Sequence, residues 1–139
     1  MTPVRLETTV ELRPDAGAGR LSVSARHEAV LGGGDRVLLL DDRGWVEEAR
    51  GAGSGELGPL RETDIAFTAR TVVGPDEPWP GRTAAEAERD HWDALAETLR
   101  RHGVAAGGAE LSSLPHRVVL GPLLRALVES GPQRAPETP

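Results

Sequence analysis

Four histidines are the side chains in this sequence most open to assembly into a chemical site: His27, His91, His102 and His116. Cysteine is absent, which excludes thiol nucleophiles, disulfides and cysteine-ligated metals. His91 and His102 share one helical stretch. Their separation is close to three turns, so they project within roughly 20° of each other. Three turns is also about 16 Å of rise, too far for two ligands of one metal ion. The i, i+4 histidine pair of zinc peptidases is missing. The expectation is therefore no structural metal and no cofactor. Asp90-His91, with Glu86, Glu97 and a sheet residue such as His27, could build a carboxylate–imidazole site, although no spacing demands it. His27 falls on the inward row of a strand and reads first as a core histidine satisfied by a backbone carbonyl. His102 reads as the cation of a helix C-terminus. His116, behind Pro115, carries no signal.

Other candidates fare no better as catalysts. Asp41-Asp42 could pair as carboxylates, but before Arg43-Gly44 they read as formers of a hairpin turn. Ser54 lies in a Gly/Ser-rich loop without the G-x-S-x-G elbow. Gly32-Gly33-Gly34 lacks the lysine of a phosphate loop and is followed by strands. No catalytic residue is assigned.

The stretch Gly74–Gly81, GPDEPWPG, offers recognition instead of catalysis. Its prolines fix φ and remove amide donors, which excludes helix and favours a stiff extended segment. Asp76, Glu77 and Trp79 are thus displayed with little freedom left to lose. The functional reading is a contact surface for a protein partner. The plainer reading, which takes precedence, is a crossover whose Trp79 plugs the core.

The elements that must position these residues emerge from periodicity. Thr83–His102 is a helix marked at both ends: Thr83 and Glu86 form a capping box, and Gly103-Val104 suits a Schellman stop. Its apolar stripe is Ala85, Trp92, Leu95, Ala96 and Leu99, with Trp92 as the expected anchor. Val4–Arg13 and Arg20–Leu31 alternate and pair as an antiparallel hairpin. Val37–Leu40 reads as a central strand that turns back at Asp41–Gly44 into Trp45–Glu47. Glu48–Gly58 reads as a mobile loop. Asp64–Val73 reads as a strand with inward Phe67; helical spacing of Ile65, Thr68, Ala69 and Val72 is the alternative. His116–Leu120 is a short edge strand, and Pro122 opens a short helix.

The expected fold is α+β: an antiparallel sheet of about five strands covered by one long amphipathic helix, plus a short C-terminal helix. Residues 1–131 are read as one domain and 132–139 as a disordered tail. The chain has 139 residues and a net charge of −6. That charge argues against nucleic acid, which needs clustered positive potential. Every basic residue other than histidine is arginine, in a composition rich in Ala, Gly and Pro, as GC-rich bacterial genomes encode. No signal peptide or membrane span is read, and the expected location is cytoplasmic.

Two functions compete. One is a non-enzymatic accessory, inhibitor or immunity-type protein that binds a basic protein partner through Asp76, Glu77 and Trp79. The other is a small-molecule-binding or enzymatic domain with a pocket between sheet and helix, using His27 and His91. A cavity above about 300 Å³ with convergent polar groups favours the second. A filled core with an exposed acidic or apolar patch favours the first.

Overall fold

The computed structural model describes residues 2–14, 19–48 and 60–130. Most of the loop expected at 48–58 and all of the tail at 132–139 lie outside those residues. The elements run β1 (Pro3–Leu12), β2 (Arg20–Leu31), β3 (Arg36–Glu48), α1 (Glu62–Val72), α2 (Ala84–Arg101), α3 (Gly108–Ser112), β4 (His116–Leu120) and α4 (Pro122–Ser130). The class is α+β, with a four-stranded mixed sheet ordered β3-β2-β1-β4. β1–β2 and β2–β3 pair antiparallel, whereas β4 lies parallel to β1.

Among the described residues the sheet has four strands where about five were expected, and β3, whose Val37–Leu40 stretch was read as central, lies at its edge. Three further expectations need correction. Asp41–Gly44 is not a turn, because β3 runs through it. Opposite Arg26 and His27 the β3 strand carries extra residues, so His27 pairs with Leu40 while Ala25 pairs with Arg43. Such a bulge turns the later residues of its strand to the opposite face, and Arg43 joins the inward row where Asp42 would otherwise stand. Gly44 is required by close approach: a Cβ there would collide with the Val23 carbonyl and the Arg13 side chain.

The second correction is α1, a helix where a strand was read. Glu62 and Asp64 open it and Arg70 closes it, the charge order the helix dipole favours. Ile65 and Ala69 are buried under either periodicity and could not discriminate. Phe67 does: it stands 72% exposed, not inward. Third, the sheet is not wholly antiparallel, since β4 arrives after a crossover through three helices and docks beside β1 in the same direction.

α2 forms as read. Thr83 accepts from the Glu86 amide at 3.1 Å, and Glu86 accepts from the Thr83 amide at 2.9 Å. Gly103 takes φ 81°, and the Val104 amide returns to the Leu99 carbonyl at 3.0 Å. Its anchor is Leu99, fully buried together with Leu95 and Ala96, whereas Trp92 is only half-buried at the margin. Trp92 meets α3, where a Cβ on Gly108 would sit 3.2 Å from its own Cβ. α4 is held by Glu11, whose carboxylate accepts from the Leu123 and Leu124 amides at 3.1 and 2.8 Å.

The inward face of the sheet carries two apolar clusters. Leu6, Ala29, Leu31, Val37 and Leu39 pack under α2 and α3 through Leu95, Ala96, Leu99 and Leu111. Val10, Leu21, Val23 and Ala25 pack under α1 and α4 through Ile65, Ala69 and Leu124. The opposite face is a ladder of charge: Arg36 bridges Glu7 at 2.9 Å and Glu28 at 3.2 Å, flanked by Arg5 and Arg26.

We expect Leu99→Ala to lower unfolding free energy by about 2–5 kcal/mol, as deletion of a fully buried leucine does. Phe67→Ala should change it by less than about 0.5 kcal/mol. Urea denaturation of both variants checks this; a core-sized loss from Phe67→Ala would contradict the helical placement of α1.

Candidate functional site

Between the two apolar clusters the sheet carries a polar row. Thr8 lies opposite His27 across β1 and β2, flanked along β1 by the inward pairs Leu6–Ala29 and Val10–Ala25. The Thr8 hydroxyl stands 2.8 Å from His27 Nδ1 and 2.7 Å from Nε2 of His116 on β4. A hydroxyl has one proton and two lone pairs, so it can donate to at most one of these nitrogens, and an N–H of a neutral ring donates to it at the other. The three side chains form a hydrogen-bonded chain across three strands. The imidazoles sit 5.0 Å apart, tilted by 57°.

His27 is 1% exposed. Burial, reinforced by the positive potential of His116, His91 and Arg43, lowers its pKa to about 3. Burial, with Arg70 nearby, lowers His116 to about 4. Arg70 also donates to the His116 carbonyl at 3.1 Å, tying α1 to β4. Both rings are therefore neutral at pH 7. His27 is indeed a core residue, but its partner is Thr8 and not a backbone carbonyl. Its Nε2 is buried without a hydrogen-bond partner among the described residues.

One end of this row adjoins an open cleft of about 560 Å³ between α2, the segment from Asp76 to Arg82, and β3. Its apolar lining is Leu40, Ala87, Ala94 and Leu95; Pro78 and Trp79 add a further wall. The polar lining is Arg43, Asp76, Glu77, Arg82, Asp90 and His91. Arg43, turned inward by the bulge in β3, donates to the Val72 carbonyl at 2.9 Å and the Gly74 carbonyl at 3.3 Å. It thereby satisfies orphan carbonyls at the end of α1, and it pairs with Asp76 at 3.5 Å. Arg82 pairs with Asp90. Glu77 has no hydrogen bond or ion pair among the described residues.

His91 lies half-buried on α2, edge-on to Trp92 at 4.9 Å. Burial lowers its pKa, with Arg43 acting the same way and Asp76 and Glu88 opposing. Its Nε2 is buried and has no hydrogen-bond partner among the described residues. Trp79 is 76% exposed. The reading of Trp79 as a core plug is thus overturned: its indole stands outward at the rim.

The sequence-read residues therefore gather in part. Asp76, Glu77, Trp79 and His91 line one cleft, and His27 lies in the adjoining seam outside its lining. His102 is remote from it and bonds the Thr98 carbonyl at 3.0 Å. Arg43, Thr8 and His116 were missed. Thr8 was legible as an inward neighbour of His27 once the hairpin was registered; His116 and Arg43 depended on the parallel pairing and the bulge. Among the described residues no cluster of three or more His, Asp or Glu could hold a metal ion. No described helix is long and apolar enough to cross a membrane. Neither protein-family models, nor curated proteins, nor solved structures match this chain.

The depressed imidazoles imply a pH dependence. His27 accepts a proton near pH 6.5 when unfolded and near pH 3 when folded. Stability is complete above about pH 6.5 and falls as pH drops through the window between those values, by up to about 1.4 kcal/mol per pH unit. Glu7 and Glu86, whose carboxyls are held below 4.5, lose stabilisation in the same direction only at lower pH. We expect urea midpoints to fall between pH 7 and pH 5, and His27→Gln to flatten that fall. An unchanged slope in His27→Gln would show that the seam does not titrate as described.

Proposed function

We propose that this protein is a ligand-binding domain that takes a small organic molecule in the cleft between α2, the proline segment and β3. The observation that carries the reading is the cleft itself. Its volume of about 560 Å³ lies within the range of small-molecule pockets. An apolar floor with a few polar groups converging on it is the usual composition of a small-molecule site. Leu40 and Leu95 supply burial, while Glu77 and the other polar groups of the lining supply orientation. The rim is stiffened by Pro78 and Pro80, so little ordering is required when a ligand enters.

A second reading is favoured by one observation, the exposure of Trp79 beside Asp76 and Glu77. A rigidly displayed tryptophan flanked by carboxylates has the composition of an interface hot spot for a basic protein. On that reading the protein is an accessory, inhibitor or immunity-type factor, and the partner seats a side chain in the same cleft.

Ala94 lines the cleft from the exposed face of α2, so Ala94→Trp should fill it without disturbing the core. A fragment library screened by NMR should give hits that shift cleft residues in the wild type and lose at least tenfold in affinity in Ala94→Trp. Thermal midpoints of the two proteins should agree within a few degrees. Hits that map elsewhere, or that ignore Ala94→Trp, would sink the small-molecule reading. Trp79→Ala should weaken capture of a native partner at least tenfold at unchanged stability, if the second reading holds.

A further inference from the structure

We infer that the cleft selects an organic cation: an ammonium or guanidinium group carried on an apolar body, recognised by Trp79 and Glu77. The inference rests on the cleft being a ligand site and adds the charge of what enters it.

Both arginines of the cleft are already committed. Arg43 holds two backbone carbonyls and Asp76, and Arg82 holds Asp90. An anionic ligand at either guanidinium would be a second anion beside a carboxylate already paired there. Glu77 is different, having no partner to lose among the described residues. With three carboxylates against two guanidiniums, the lining has a net charge of −1 before any ligand arrives. A cation gains an ion pair with a carboxylate that has none among the described residues and meets a lining of opposite net charge, which decides the sign.

The indole of Trp79 adds a second, independent preference. It is 76% exposed at the rim of an otherwise apolar-floored cleft. The face of an indole attracts cations through its quadrupole and offers nothing comparable to an anion. Proline on each side restricts the backbone that carries it. His91 also lines the cleft, and its ring is neutral at pH 7, so it does not repel a cation. The apolar body then covers Leu40, Ala94 and Leu95, which an inorganic cation would leave wet.

Three probes that share a phenethyl-type body test the charge alone: phenethylamine, phenethyl alcohol and 3-phenylpropionate. Each is titrated into the full chain while the amide and indole N–H signals are followed by NMR. We expect phenethylamine to shift Trp79, Glu77 and Ala94 saturably, at least tenfold more tightly than the alcohol, with the carboxylate weakest. Trp79→Ala should remove at least tenfold, and Glu77→Gln at least threefold at low salt. Trp79→Phe should retain part of the binding. N-acetylarginine amide serves as a competitor: displacement of phenethylamine at lower concentration points to a partner's side chain as the source of the same cation. If the alcohol or carboxylate binds the same residues as tightly as the amine, the cation assignment is overturned and the cleft remains a ligand site. If none of the three shifts any cleft signal at millimolar concentration, both readings fall.

Discussion

Thr8 has one hydroxyl, and two imidazoles from different strands share it. That shared group sits where a sheet would ordinarily place a valine, between two apolar clusters. Buried polar atoms are costly when unpaired and cost little when their partners are in place. The row at Thr8 therefore couples three choices: the register of β1 on β2, the parallel docking of β4, and the neutrality of both rings. A slip of two residues in either pairing keeps the leucines inward but separates Thr8 from a ring that it bonds. The polar row thus opposes a shift of register that the alternating leucines alone would permit.

Arg43 performs the corresponding task at the sheet edge. The bulges in β3 place its guanidinium inward, where it terminates α1 and holds Asp76. One side chain thus links the sheet edge, the end of a helix and the start of the proline segment. The cleft is a consequence of that linkage. With α1 and α2 covering separate clusters, the segment joining them must cross the gap between, and prolines prevent it from sinking in. The space beneath is floored by Leu40, which touches both clusters, and walled by α2.

The electrostatics of the cleft arise from this geometry more than from composition. The acidic net charge of the chain reads on its own as solubility or as attraction to a basic partner. In the folded protein two of the three cleft carboxylates are neutralised locally, and only Glu77 is left to act on an incoming group. Trp79 lines the same cleft, with its indole exposed. A tryptophan between prolines is equally compatible with burial and with display, and the sequence around it offers no choice between them.

Short-range signals in the sequence determined α2 with both its ends, the β1–β2 hairpin, the inward position of His27 and the stiffness of the 74–81 segment. Each is a matter of local hydrogen bonding, dihedral restriction or a repeat within a few residues. Tertiary structure decided the rest. Asp64–Val73 became a helix because Ile65 and Ala69 satisfy either period, and packing beneath α1 selected the one that leaves Phe67 in solvent. Asp41–Gly44 became bulged strand because pairing with β2 outweighed turn propensity. His116 acquired a role only when a strand more than a hundred residues from Thr8 docked in parallel beside it. Contacts at that separation leave no periodic trace in the chain, since their register is set by which buried groups find partners.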